Sequence, residues 1–155
     1  MQQSMDIIPG WDSLPADLTW KEKLGFLTWR FSQFPQSETP LWHSFQNGKY
    51  LRLMQIPAGV LFVGRGHKNG HEVQLLQGSV VLITEQGRQI RHAPDSIHSP
   101  PGFHTVCFTL TDVLGQTVHE DTGERNVDVL ENGIFESVDS LKEIGATVHH
   151  RLTSQ

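Results

Sequence analysis

The sequence has a single cysteine and lacks any long apolar run, and each of these absences excludes a class of protein. Cys107 has no partner for a disulfide within the chain, which is typical of proteins kept in a reducing compartment. The N-terminus lacks the charged start and apolar core of a signal peptide, and no run approaches the roughly 20 apolar residues that span a bilayer. We therefore expect a cytoplasmic protein with no membrane partner.

The sequence also lacks an excess of basic residues and the motifs of covalent catalysis. It has 12 Lys and Arg against 17 Asp and Glu, a formal net charge of −5. A protein that binds nucleic acid by neutralising phosphates needs the opposite balance, so we expect no nucleic-acid partner. No G-x-S-x-G nucleophile motif is present, nor a glycine-rich phosphate loop before a helix. Chemistry at a metal, or acid–base chemistry by histidine, remains.

The 155 residues are enough for about one domain, and their patterns divide the chain into three segments. Residues 1–37 contain an irregular arm and then a helix, which begins after the capping-box pair Thr19 and Glu22. Residues 38–125 are short strand-like runs separated by glycine and proline turns. Residues 126–155 form a C-terminal extension with a short helix at 140–145 and a polar end, 149–155, that we expect to fray.

The many short strands, with helices only at the two ends, predict a mainly β fold, a β-barrel or jelly roll with an N-terminal helix and a short C-terminal helix. Residues 93–101 contain three prolines, which cannot donate to a strand ladder. We therefore expect that segment to be a loop or an edge strand.

The strongest candidate site is a pair of histidines four residues apart. His67 follows the strand-like run 60–63, and His71 opens the run 73–76, so that the pair straddles a predicted hairpin. Imidazole is the commonest metal ligand in proteins, and two of them can grip one divalent ion if a third donor is nearby. The alternative is that both are exposed turn histidines without a ligand.

The spacing around this pair resembles the first cupin motif, HxHxxxExxxxxxG. With its last glycine on Gly78, the ligand positions fall on Arg65, His67 and His71, of which only His67 matches strictly. Residues 100–105 are similar to the second motif, PxGxxH, with His104 one residue before the histidine position. Strict strand alternation turns His104 to the wrong face, and a bulge would restore it.

The order of segments resembles small single-domain cupins of the RmlC-like superfamily, many of them uncharacterised and encoded in phage and prophage genomes. The resemblance covers roughly residues 38–125. It implies a cupin-type jelly-roll β-barrel in which His67, His71 and His104 hold a divalent metal (Fe, Mn, Ni or Zn). The matching positions are His43, Gly48-Lys-Tyr-Leu-Arg52, Ile56-Pro-Ala-Gly59, Gly66-His-Lys-Asn-Gly-His71, Pro101-Gly102 and His119.

Five further residues are candidates for contacting a bound small molecule: His43, Tyr50, Arg52, Arg65 and His119. Arg65 takes the place of a metal ligand, and a guanidinium facing the cavity favours an anionic molecule. Its alternative is a strand-end arginine pointing to solvent.

Two functional hypotheses follow from these residues. One is a metal-dependent cupin, a dioxygenase or isomerase, that binds a small polar or anionic molecule in the barrel. The other is a non-enzymatic ligand-binding or phage accessory protein without a metal. We also expect a homodimer, because cupins of this kind commonly pair through edge strands and terminal arms, and Trp11, Trp20 and Trp29 supply apolar area near the N-terminus.

Overall fold

The structure, a computed structural model, describes residues 8, 11, 14–102 and 104–154, and for Val138 the backbone only. These residues form two compact units, Gln36–Glu136 and Met1–Pro35 with Ser137–Gln155. Much of the predicted irregular arm, residues 1–18, lies outside the described residues. Among the described residues, no helix is long and apolar enough to cross a membrane.

The first unit contains all of the strands and one of the helices that the structure describes. Helix α1 (Trp20–Phe31) precedes the strands, and helices α2 (Val127–Ile134) and α3 (Val138–Thr153) follow them. The strands are β1 (Leu41–Gln46), β2 (Lys49–Ile56), β3 (Leu61–Val63), β4 (His71–Gln77), β5 (Ser79–Thr84), β6 (Gly87–His92), β7 (Asp95–Ser99), β8 (Val106–Thr109) and β9 (Val113–Glu120).

The strands form two antiparallel sheets, with the orders β1-β2-β9-β4-β7 and β3-β8-β5-β6. The chain passes back and forth between the sheets, and the orders 2-9-4-7 and 3-8-5-6 are those of an eight-stranded jelly roll. Strand β1 is an additional edge strand, joined to β2 by a tight turn at Asn47 and Gly48, both of which have positive φ. The predicted fold class is therefore confirmed, and β7 is an edge strand as expected for residues 93–101.

Both sheets contribute to one apolar core. Ile56, Leu75 and Val113 come from the first sheet, and Val80 and Cys107 from the second. Strand β2 alternates, so that the even-numbered residues from 50 to 56 share the face that carries Ile56. Because Arg52 lies on this face, its guanidinium is directed into the protein rather than into solvent.

The second unit is a pair of packed helices. Thr19 Oγ1 accepts a hydrogen bond from the Glu22 amide and Glu22 Oε1 one from the Thr19 amide, which confirms the predicted capping box. Helix α3 has 16 residues, so the C-terminal helix is present as predicted but is longer than 140–145 and includes much of the segment 149–155. Its later residues have a packing partner, since the ring of His149 stacks on that of Trp29 with centroids 4.2 Å apart.

Candidate functional site

A cavity of about 310 Å³ lies between the two sheets of the jelly roll. Its walls are mainly apolar, and its volume is at the small end of the range for ligand sites. A second depression, of about 430 Å³, lies on the outer face beside Trp42, is more open and is lined by no histidine or arginine. The cavity between the sheets is therefore the candidate site. Its polar groups near α2 are Arg52, Arg65, His67 and His71, with Phe135 beside them.

Helix α2 and the residues that follow it close this end of the cavity. The Lys68 amide donates to the Ile134 carbonyl and the Glu136 amide to the Gly66 carbonyl, both at 2.8 Å. This short antiparallel pairing places the ring of Phe135 4.6 Å from that of His67. Phe135 therefore forms part of the wall against which the predicted site residues pack.

Helix α2 was not predicted, although the signal for it is present in the sequence. Asn126 accepts hydrogen bonds from the amides of Asp128 and Val129, as an N-cap residue does. The apolar residues Val127, Leu130 and Ile134 then recur at helical spacing. The cap and this spacing together predict an amphipathic helix where we had placed only an extension.

His67 and His71 are both buried and lie face to face, with ring centroids 3.4 Å apart and planes inclined by 24°. His67 Nδ1 lies 3.0 Å from the Arg65 carbonyl oxygen. Because a carbonyl can only accept, Nδ1 carries the proton, and Nε2 is left as an acceptor. That Nε2 atom is buried without a hydrogen-bond partner, and so is His71 Nδ1.

His119 is a third imidazole beside this pair, with its centroid 5.3 Å from each of the two rings. Burial, with a smaller contribution from the neighbouring imidazoles, lowers the pKa of His67 to about 3 and that of His119 to about 4. Burial also lowers the pKa of His71, although the nearby Asn69 backbone partly opposes this without reaching hydrogen-bond geometry. The three rings are therefore neutral at pH 7.

His104, the predicted third metal ligand, is directed elsewhere. It is buried in the loop before β8, and its Nε2 atom lies 3.1 Å from Glu136 Oε2. The ring sits against Gly66, where any Cβ would overlap it. His104 therefore pairs with a carboxylate that follows α2, and it is not part of the cavity lining.

Arg52 and Arg65, both predicted as ligand-binding residues, come together at the cavity end. Arg52 Nη2 lies 3.4 Å and Arg65 Nη1 3.8 Å from the same carboxylate oxygen of Glu131. Both guanidiniums lie over the ring of Phe135, at 4.5 and 4.0 Å from its centroid. Arg52 is only 6% exposed, and its Nε atom is buried without a hydrogen-bond partner. Burial lowers the pKa of Arg65, and Glu131 opposes that shift.

The remaining predicted residues, His43 and Tyr50, stand behind the cavity wall. The Tyr50 hydroxyl lies 2.6 Å from His43 Nδ1, and its ring is 5.8 Å from that of His119. Tyr50 is fully buried, and this burial raises its pKa. These two residues support the imidazole cluster from β1 and β2 without lining the cavity themselves.

The predicted metal ligands do not fit a metal in this arrangement. An ion bound by imidazoles lies in each ring plane about 2.0–2.1 Å from a nitrogen. The nearly parallel, stacked rings of His67 and His71 do not direct two nitrogens to one such point, and His104 bonds to Glu136. In the part of the chain that the structure describes, no group of three or more His, Cys, Asp or Glu side chains is placed to hold a metal ion.

No family model and no curated protein matches the chain. Among solved structures it is similar to a cupin-2 domain protein of Shewanella frigidimarina, with 11% identity, 59% of this chain and 89% of that chain covered, and a TM-score of 0.45. It is also similar to a cupin domain from Bordetella pertussis, with 17% identity, 57% of this chain and 99% of that chain covered, and a TM-score of 0.43. For a cupin domain from Schizosaccharomyces pombe the identity is 15%, the coverage is 67% of this chain and 73% of that chain, and the TM-score is 0.46. Cupin-domain proteins are thus among the structures that this chain is similar to, and its own strand order establishes the jelly roll.

Proposed function

We propose that the protein binds a small organic molecule in the cavity between its sheets, with an apolar part among the core side chains and a polar end at Arg52 and His67. One observation carries this proposal. Arg52 and His67 line the end of the apolar cavity near α2, and each has a buried polar atom without a hydrogen-bond partner, Arg52 Nε and His67 Nε2. Each unsatisfied buried polar atom costs about 1–3 kcal/mol. A ligand with matching polar groups removes both costs.

Binding is favoured over general-base catalysis by the histidines themselves. A catalytic base works best when its pKa lies near the operating pH. The pKa of His67 is lowered to about 3 and that of His119 to about 4. Imidazoles with such values are weak bases, so they suit hydrogen bonding to a ligand better than proton abstraction.

Calorimetric titration with octan-1-ol, a neutral molecule of suitable length, tests the proposal. We expect one octan-1-ol per chain and an increase in thermal stability on binding. The Leu82→Trp variant fills the cavity and should abolish binding, whereas Leu53→Trp, in the outer depression, should not. A wild-type protein that binds no octan-1-ol, or a Leu82→Trp variant that binds it unchanged, contradicts the proposal.

A second candidate function is divalent metal binding with a role in catalysis, as the sequence motifs suggested. The observation that favours it is the pair of unpartnered buried nitrogens, His67 Nε2 and His71 Nδ1. It requires at least one ring to rotate out of the stack. Elemental analysis after incubation with Fe, Mn, Ni and Zn tests it, because one ion per chain that is lost in His67→Ala and His71→Ala would support it. Retention of that ion in His104→Ala would show that His104 is not a metal ligand, in agreement with its contact to Glu136.

A further inference from the structure

The arginines that line the cavity are not equally satisfied. Arg91 forms a two-bond fork with Asp95, with Nε 2.5 Å from Oδ2 and Nη2 3.0 Å from Oδ1. Arg52 and Arg65, in contrast, share the single carboxylate of Glu131 at 3.4 and 3.8 Å. Two guanidiniums facing one carboxylate leave positive charge in excess at this end of the cavity.

The contacts to Glu131 are also long for charged groups. Charge-assisted N–H···O bonds are typically about 2.7–2.9 Å, and the glutamate side chain is about one quarter exposed. Meanwhile Arg52 Nε, a donor that is buried beside the cavity, has no acceptor. The group that best matches the fork of an arginine is a second carboxylate. A ligand carboxylate can therefore bind Arg52 from the cavity side and replace Glu131 as its main partner.

Arg52 requires an acceptor on the ligand, whereas His67 requires a hydrogen-bond donor. Its Nδ1–H donates to the Arg65 carbonyl, so the buried Nε2 is an acceptor without a donor. A carboxylate placed there would meet a lone pair, whereas a hydroxyl group donates to it. Arg52 and His67 both pack on the ring of Phe135, with centroid distances of 4.5 and 4.6 Å, so they lie at the same end of the cavity. The acceptor and the donor of the ligand therefore belong to the same, polar end of the molecule.

We propose that the ligand is a carboxylic acid with a hydroxyl group at its carboxylate end and an apolar tail. The carboxylate accepts from Arg52, the hydroxyl donates to His67 Nε2, and the tail occupies the apolar cavity. This inference rests on the proposed function and specifies its ligand.

Three probes of similar length test it by calorimetry in the presence of EDTA: 2-hydroxyoctanoate, octanoate and octan-1-ol. We expect octanoate to bind about tenfold more tightly than octan-1-ol, because it gains a charge-assisted hydrogen bond. The hydroxy acid should bind several-fold more tightly again. The His67→Leu variant should lose the preference of the hydroxy acid over octanoate and keep the preference of octanoate over the alcohol.

Substitutions of Glu131 and of Arg52, with Asp128 as a matched control, sharpen the test. Glu131→Gln removes the internal competitor and should raise the affinity for both acids severalfold, without changing that for octan-1-ol. Asp128→Asn makes the same charge change one turn earlier on α2, at an exposed position, and should change none of the three affinities. Arg52→Lys keeps the charge but removes Nε–H, and should weaken binding of both acids about tenfold. If that variant does not fold, the wild-type series and Glu131→Gln still decide.

The outcomes separate this inference from the proposed function. Octan-1-ol binding as tightly as both acids would overturn the inference and leave the cavity as a ligand site. Binding of the hydroxy acid only when EDTA is omitted would also overturn it, since a metal would then mediate recognition. Absence of binding for all three probes would remove both the inference and the proposed function.

Discussion

The rings of His67 and His71 stack with centroids 3.4 Å apart, at two of the three positions where the sequence predicted metal ligands. Neutral imidazoles tolerate this contact, whereas two protonated rings at such a distance in a buried site repel each other strongly. His119 lies 5.3 Å from each ring, and a proton there would add to the repulsion. The cluster is therefore stable only while its imidazoles are neutral.

The first prediction is a loss of stability in mild acid. The pKa of His67 falls from 6.5 in the unfolded chain to about 3 in the folded protein, and that of His119 to about 4. Below pH 6.5 the unfolded chain therefore binds protons that the folded protein excludes. The stabilisation is complete above about pH 6.5 and is lost as the pH falls towards 3–4. For His67 alone, the free energy of unfolding should drop by about 2 kcal/mol between pH 7.5 and pH 5.

Urea unfolding at these two pH values measures the effect. The His67→Asn variant should show a smaller drop than wild type, because it lacks the group that titrates. His98→Gln is the matched control, since His98 is 67% exposed and should leave the wild-type drop unchanged. Equal drops in wild type and His67→Asn would show that His67 is not held neutral by the fold.

The second prediction concerns Phe135, whose ring contacts Arg52, Arg65 and His67. Phe135 is buried, so Phe135→Ala should destabilise the protein by about 3–5 kcal/mol. It should also weaken binding of octan-1-ol, because the end of the cavity opens. Thermal and urea unfolding measure the first effect and calorimetry the second. Val129→Ala, on the exposed side of α2, should change stability by less than about 0.5 kcal/mol, and equal effects of the two variants would contradict the assigned role.

Local signals account for what the sequence predicted correctly. The capping box of α1 and the proline-rich edge strand each depend on residues a few positions apart. The turn at Asn47 and Gly48 and the alternation of β2, which places Arg52 on the inner face, are equally local. These features need no knowledge of the rest of the fold, whereas the jelly roll itself is established by the strand orders of the two sheets.

The site was less predictable because its closure depends on contacts distant in the sequence. Gly66 and Lys68 form backbone hydrogen bonds with residues 134–136, nearly 70 positions away. Glu136, in that same segment, forms the contact with His104. The cupin spacing treated His104 as a ligand from its neighbours alone. Spacing within a motif cannot reveal a carboxylate that reaches the same histidine from a distant helix.

The third prediction is that the protein forms a homodimer in solution, as the sequence suggested. Strand β1 is an edge strand, and the side chain of Trp42 on it is half exposed. Light scattering at tens of micromolar should give twice the mass of the chain. Trp42→Lys should shift the protein to a monomer, whereas Ile90→Lys, at an exposed position on β6, should not. A wild-type monomer would contradict the prediction, and the reverse pattern would move the interface to β6.

The fourth prediction compares two helical glycines, one in close contact with a neighbouring helix and one with open space around it. A Cβ at Gly145 of α3 would overlap the Gly25 carbonyl oxygen of α1 and lie 2.6 Å from Trp29 Cβ. Gly145→Ala should therefore force α1 and α3 apart and destabilise them by about 1–3 kcal/mol. At Gly133 of α2 an added Cβ meets nothing within 4 Å, so Gly133→Ala should be neutral or stabilise by up to about 1 kcal/mol through helix propensity. Thermal unfolding followed by the helical circular dichroism signal distinguishes the two variants, and a Gly145→Ala protein as stable as wild type would show that the helices do not cross at these glycines.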